Sequence, residues 1–324
     1  VVNASDLLVG GLLPGTVAVL LLLALWQPWN RRGELRGGPA AAIALGLAFV
    51  VALLALNGRG GGDQGGWSLR RALPAFPPLS SGWLVYGTLL VTLLASISDA
   101  VRLRPAVRRR AGAVVVVLVV AAALQTRLGH LWHGIGIFEP PARAQAAWTM
   151  AIGGAGGIVY WLMLDSLAQR RSASRLALAL LLTAGAGAGV ISLLDSTTQG
   201  LYCGALTAGL TAIVIVGLWS GSVAASTGML GVFAAVFIQI IVRVHVDLPD
   251  EPFGGTPLKL VLLCAAPLLT GITLIPPLRR WPARRQAAVE VATIIVVLAG
   301  ILFLAKTQFD QQNTASGALA LCVP

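Results

Sequence analysis

Charge is scarce in this chain of 324 residues: 11% are Asp, Glu, Lys or Arg, against roughly 25% in an ordinary soluble domain. A globule of this length could not cover itself with so few charged groups. Cysteine is scarce too. Cys203, Cys264 and Cys322 form no CxxC or other metal-ligand spacing, and Cys203 and Cys322 could pair only if the C-terminal tail folds back. Lysine is reduced to Lys259 and Lys306 among 23 basic residues. Several motifs are also missing. Without a Walker A loop no ATP-driven step belongs to this chain, and GxSxG, HExxH and CxxCH are absent as well. No histidine falls within an apolar run as delimited below, which argues against bis-histidine haem ligation inside a bilayer. No cofactor is expected.

What the chain has is apolar mass. Hydrophobic residues make up 57%, and the mean hydropathy is +0.85. Disorder is excluded by those numbers, and lipid is the solvent that accepts the excess. The fold expected is all-α, a polytopic membrane protein with no sizeable soluble domain. A crossing needs about 20 mostly apolar residues. Ten segments qualify, at about 7–26, 40–56, 83–98, 111–125, 147–168, 176–194, 201–219, 223–242, 258–275 and 288–305, in a single transmembrane domain over 1–324. The first follows Asp6 and no basic residue, so it reads as a crossing and not as a signal peptide.

The net charge of +11 then reports orientation. With the N-terminus outside, fifteen of the twenty-three basic residues fall in inner loops, around Arg31–Arg36, Arg102–Arg110, Arg170–Arg175 and Arg279–Arg285. Both termini are expected outside, with the lipid bilayer, and other membrane subunits if any, as partners and no nucleic acid. Arg-dominated, Ala- and Gly-rich composition suggests a high-GC bacterial genome and hence a bacterial inner membrane. Ten crossings could divide into two inverted halves of five, with Pro14-Gly15 in the first segment matching Gly185, Gly187 and Gly189 in the sixth. The segment 128–138 is apolar but too short to cross, so it is expected to lie in the outer interface or to dip back in.

Polar groups inside crossings are expensive and therefore the first candidates for function. Thr88, Thr92, Ser96 and Asp99 share one face of the third segment at spacings of 4, 4 and 3. They read either as a substrate path or as glue between helices. Asp165 reads as a path residue or as an interfacial ion pair with Arg170 and Arg171. Glu290, near Arg284 and Arg285, reads as a first-turn carboxylate that suits the helix dipole. Gln239 lies deeper, one turn before Arg243, and is a candidate lining residue. Gly153-Gly154-Ala155-Gly156-Gly157 reads as a close-packing surface or an unwound binding stretch. Pro267 is expected to kink the ninth segment.

Outside, His130-x-x-His133 with His245 and Glu139 could hold a metal or form a proton-titrating vestibule. The simpler reading, and the favoured one, is that histidines beside Trp132 suit the polarity gradient of an interface. Three functions follow in order. The first is a secondary transporter or permease for a small solute. The second is a non-catalytic subunit or scaffold of a membrane complex. The third is an enzyme with an outer-face site of histidines and acids. A non-enzyme is the expectation.

Overall fold

The computed structural model describes residues 8–26, 37–58, 72, 82–101, 104, 106–107, 109–118, 140–170, 172–194, 196–220, 226–247 and 256–320. Those residues form helices and short turns, with no strand among them. This is the all-α architecture that the composition demands. Among the described residues ten helices of ten or more residues follow in chain order, besides a four-residue helix at Pro276–Arg279: α1 (Leu8–Trp26), α2 (Gly37–Asn57), α3 (Gly82–Val101), α4 (109–118), α5 (Pro140–Ala168), α6 (Ala173–Leu193), α7 (Thr197–Trp219), α8 (Thr227–Asp247), α9 (Thr256–Ala265, continued as 3-10 helix over Ala266–Leu274) and α10 (Ala283–Ala320). Eight are long and apolar enough to cross a membrane, all but α4 and α5. The protein is therefore a multi-pass membrane protein.

α8 occupies the centre. It packs against α2, α3, α5, α6, α7 and α9. Met229, Leu230 and the run Val232 to Phe237 are each at most 1% exposed. Phe233 and Phe237 stack with centroids 5.1 Å apart. A helix apolar on every side has no solvent-facing stripe to present and is stable only when surrounded. α1 and α10 lie at the periphery, each with 22% of its apolar window buried. Val296 and Phe303 on α10 are 70% and 67% exposed, as lipid-facing side chains should be.

Proline shapes two helices. Pro14 follows a single π-helical stretch, Leu8–Leu12, where a missing N–H and a bulky ring disturb the preceding turn. In α9 the expected kink at Pro267 is a change of helix type. The nine residues Ala266–Leu274 wind as 3-10, and Thr270 Oγ1 donates to the Pro267 carbonyl at 2.8 Å. α6, in contrast, runs unbroken through Gly185, Gly187 and Gly189. The two halves thus do not share an interrupted helix, which removes the feature on which an inverted repeat rested.

Several boundaries move outward from the sequence reading. α7 begins at Thr197 rather than 201, and α10 runs from Ala283 rather than 288. α5 begins at Pro140 rather than 147. Polar residues extend these helices past their apolar windows, because backbone hydrogen bonding continues where hydropathy stops. The segment 128–138 lies outside the described residues.

Candidate functional site

Close helix packing begins at glycines. A Cβ on Gly46 of α2 would stand 1.8 Å from Thr92 Oγ1, so α3 nests its threonine in the groove that the missing side chain leaves. Thr88 and Thr92 are 0% and 5% exposed. Their hydroxyls donate to the carbonyls one turn back, Leu84 and Thr88, at 2.6 and 2.7 Å. Ser96 does the same to Thr92 at 2.6 Å. The face predicted from sequence is continuous, and its hydroxyls are satisfied within their own helix.

Asp99 ends that face and does something different. Its two carboxylate oxygens accept from the Gly228 amide at 3.2 and 3.1 Å. Thr227 Oγ1 donates to Oδ1 at 3.4 Å. The carboxylate therefore covers the N-terminus of α8, where unpaired amides and the positive dipole end favour an anion. Ser226 is the N-cap: its Oγ accepts from the Met229 amide at 3.1 Å and donates to the Gly38 carbonyl at 2.9 Å. The start of α2, the end of α3 and the start of α8 are thus tied at one end of the bundle. A Cβ on Gly228 would lie 2.4 Å from Asp99 Oδ2 and 2.8 Å from the Ala95 carbonyl, so glycine is needed there.

At the same end, Asp165 is fully buried. Arg109 Nε of α4 donates to Oδ2 at 2.7 Å, Gln169 Nε2 donates to the same oxygen at 2.8 Å, and Arg109 Nη2 reaches Gln169 Oε1 at 3.1 Å. The ion pair joins α4 to α5 and draws on Arg109, which sequence spacing alone did not single out. Glu290 departs further from the sequence reading. Because α10 begins at Ala283, Glu290 lies about two turns inside it and cannot act on the helix dipole, which fades within the first turn. It pairs with Arg175 of α6 at 3.5 Å and accepts from the Thr273 hydroxyl of α9, both in place of Arg284 and Arg285 as the reasoned partners. Long-range pairs of this kind leave no periodic trace in a sequence.

Gln239 is 1% exposed; its Nε2 donates to the Ala235 carbonyl at 3.1 Å. Its Oε1 has no hydrogen-bond partner among the described residues. His245 is exposed on the last turn of α8, which runs on past 242 to Asp247. His130, His133 and Glu139 lie outside the described residues. Among the described residues no three His, Cys, Asp or Glu side chains gather to hold a metal.

The large opening is elsewhere. A cavity of about 480 Å³ lies between α5, α8 and α9, within the roughly 300–1,000 Å³ typical of small-molecule sites. The glycine run of α5 makes one wall, through Gly153, Gly156 and Gly157. A Cβ on Gly156 would meet nothing within 4 Å, whereas one on Gly157 would stand 2.8 Å from Val116 of α4. One glycine face therefore seats α4 and the neighbouring one leaves space. α5 is continuous helix through the run, so the stretch is not unwound. The other walls carry Ile238 and Ile241 of α8 and Leu260, Val261 and Cys264 of α9, with His245 at the outer end of α8. Tyr160 lines the cavity at 5% exposure, and its hydroxyl has no hydrogen-bond partner among the described residues.

Compared with protein-family models, with curated proteins and with solved structures, the chain matches none.

Proposed function

We propose that this protein is a ten-crossing permease of a bacterial inner membrane, with both termini outside, and that its small solute occupies the cavity between α5, α8 and α9. The cavity carries the reading. It has ligand size, it is built by a glycine run with no other packing use at Gly156, and it flanks the central helix. Ten crossings are supported by the eight helices long and apolar enough to cross, with α4 and α5 falling in the two remaining apolar segments. They are supported also by the meeting of alternate helix ends at Asp99–Gly228, Arg109–Asp165 and Arg175–Glu290. The polar face of α3 is left out of the path, because each of its hydroxyls already has a backbone acceptor.

A permease must open its cavity to each side in turn. Cys264 lines the cavity and reports this without knowledge of the solute. In a chain with Cys203→Ser and Cys322→Ser, a charged methanethiosulfonate should modify Cys264 in right-side-out vesicles and again in inverted vesicles. Modification from one face only, or from neither, refutes the permease. Orientation is tested separately by single cysteines at Arg279 and Gln311, expected to label from the inside and the outside respectively.

A further inference from the structure

The turn between α9 and α10 carries an unbalanced charge. From Ile275 to Val289 the chain holds four arginines, Arg279, Arg280, Arg284 and Arg285, and no Asp or Glu. All four are exposed, and none of their guanidinium groups has a hydrogen bond or ion pair among the described residues. Glu290, the next acid along the chain, is buried and pairs with Arg175 of α6 at 3.5 Å. Asp99 and Asp165 at the same end of the bundle are engaged by Gly228 and Arg109. Arg175 Nη2 also donates to the Ala283 carbonyl at 2.8 Å, which brings a fifth guanidinium against the turn.

Orientation in a membrane asks for positive charge in such a loop but for no particular shape. This turn has one. Gln286 Nε2 reaches back to three carbonyls, those of Leu278, Arg279 and Trp281, at 3.3, 2.9 and 3.1 Å. Pro276, Pro277 and Pro282 fix φ at three further positions. Arg279–Arg280 and Arg284–Arg285 are thereby held as two pairs on either side of Trp281-Pro282-Ala283. The second pair lies in the first turn of α10, where the helix dipole disfavours cations, so helix stability does not account for it. Trp281 and Ile275 are 43% and 50% exposed and give the turn an apolar edge. A tryptophan ring settles at headgroup depth, which sets the neighbouring guanidinium groups at the level of lipid phosphates.

We propose that this turn binds an anionic phospholipid carrying two phosphates, one at each arginine pair, with its acyl chains against Trp281 and Ile275. Guanidinium forks match phosphate oxygens in geometry and charge, and a lipid with one phosphate fills one pair only. In the orientation proposed above, the lipid belongs to the inner leaflet. The site lies apart from the cavity and goes beyond the permease reading: it stands whether or not the chain moves a solute.

Binding is read by native mass spectrometry of the delipidated chain in neutral detergent, titrated with tetraoleoyl cardiolipin, dioleoyl phosphatidylglycerol and dioleoyl phosphatidylcholine. Cardiolipin should bind the wild-type chain tightest, by about tenfold or more over phosphatidylglycerol. Arg279→Gln with Arg280→Gln, and separately Arg284→Gln with Arg285→Gln, should each weaken cardiolipin about 25-fold, at roughly fivefold for each arginine. These side chains are exposed and unpaired, so helical circular dichroism should not change. Arg104→Gln with Arg110→Gln removes two other exposed arginines and should leave the affinity for cardiolipin in place. Equal affinity for the one- and two-phosphate lipids overturns the proposal. So does a preference for cardiolipin that survives either pair of substitutions, since the acyl chains would then be its source. An equal loss in the Arg104 and Arg110 variant overturns it as well, because net charge alone would then account for binding.

Discussion

Replacing Asp99 by asparagine and by alanine separates helix capping from a role in a solute path. The carboxylate accepts the Gly228 amide through both oxygens and the Thr227 hydroxyl through one. Side-chain caps contribute about 0.5–2 kcal/mol. A charge at a partly buried helix end adds up to about 2 kcal/mol. These terms overlap, since both describe the carboxylate against the same amides, so Asp99→Ala should cost about 2–3 kcal/mol. Asp99→Asn keeps a neutral oxygen of the same shape within reach of Gly228. It should lose only the charge-dependent part, about 1 kcal/mol. The order of stability is therefore Asp, then Asn, then Ala.

The assay is reversible unfolding in mixed micelles of increasing SDS content, followed by helical circular dichroism. A companion variant sharpens it. Gly228→Ala would drive a Cβ to 2.4 Å from Oδ2 and 2.8 Å from the Ala95 carbonyl. In the Asp99→Ala background the first clash is gone and the second remains, so Gly228→Ala should cost less there than in the wild-type chain. If asparagine destabilises as much as alanine, or if neither shifts the transition, the capping account is wrong. A loss of solute movement in Asp99→Asn with unchanged stability would restore Asp99 to the path.

Gly46→Ala forces its new methyl against Thr92 Oγ1, about 1.6 Å inside ordinary contact; overpacking of this kind costs about 1–3 kcal/mol. Adding Thr92→Ala should return most of the loss but not all, because the Thr92 Cβ stands at 2.8 Å; full independence of the two changes in the same unfolding assay would contradict the packing. Arg109→Met removes the charged partner of a fully buried carboxylate. Since Arg109 is 41% exposed, the loss should fall between the surface and buried limits, at about 2 kcal/mol, and Arg109→Met with Asp165→Leu should be more stable than Arg109→Met alone. Gly156→Leu should leave the unfolding transition in place, whereas Gly157→Leu must displace Val116 and α4 and should lower it; equal effects would mean that the two glycine faces are not distinct.

The helices were legible because hydropathy and helical period are local properties. Eight of the ten apolar segments became helices long and apolar enough to cross a membrane, with ends that moved where polar residues continued the backbone bonding, as at Ala283 and Thr197. Pairings were not legible. Asp165 has Arg170 five residues away in sequence, yet Arg109 reaches it from α4 across the bundle. Glu290 has Arg284 and Arg285 at hand, yet its charge is met by Arg175 of α6. Which helices adjoin is decided by packing, and packing here is decided by glycines whose use depends on the neighbour that arrives. Gly46, Gly157 and Gly228 each seat another helix, and Gly156 seats nothing.

That contrast changes what intramembrane polarity signifies in this chain. From the sequence, polar residues within crossings mark function because their burial is costly. Here the cost is already met in most cases: by i−4 carbonyls for Thr88, Thr92 and Ser96, by helix amides for Asp99, and by guanidinium groups for Asp165 and Glu290. The polar groups hold helix ends together, and they concentrate at the end of the bundle where α2, α4, α6, α8 and α10 begin. The space that could receive a ligand is lined mostly by residues with little polar signal, glycines and aliphatic side chains, with Tyr160, Cys264 and His245 among them. A composition scan weighs such residues as lipid-facing filler. Only their placement between α5, α8 and α9 distinguishes the wall of a cavity from ordinary membrane-facing surface.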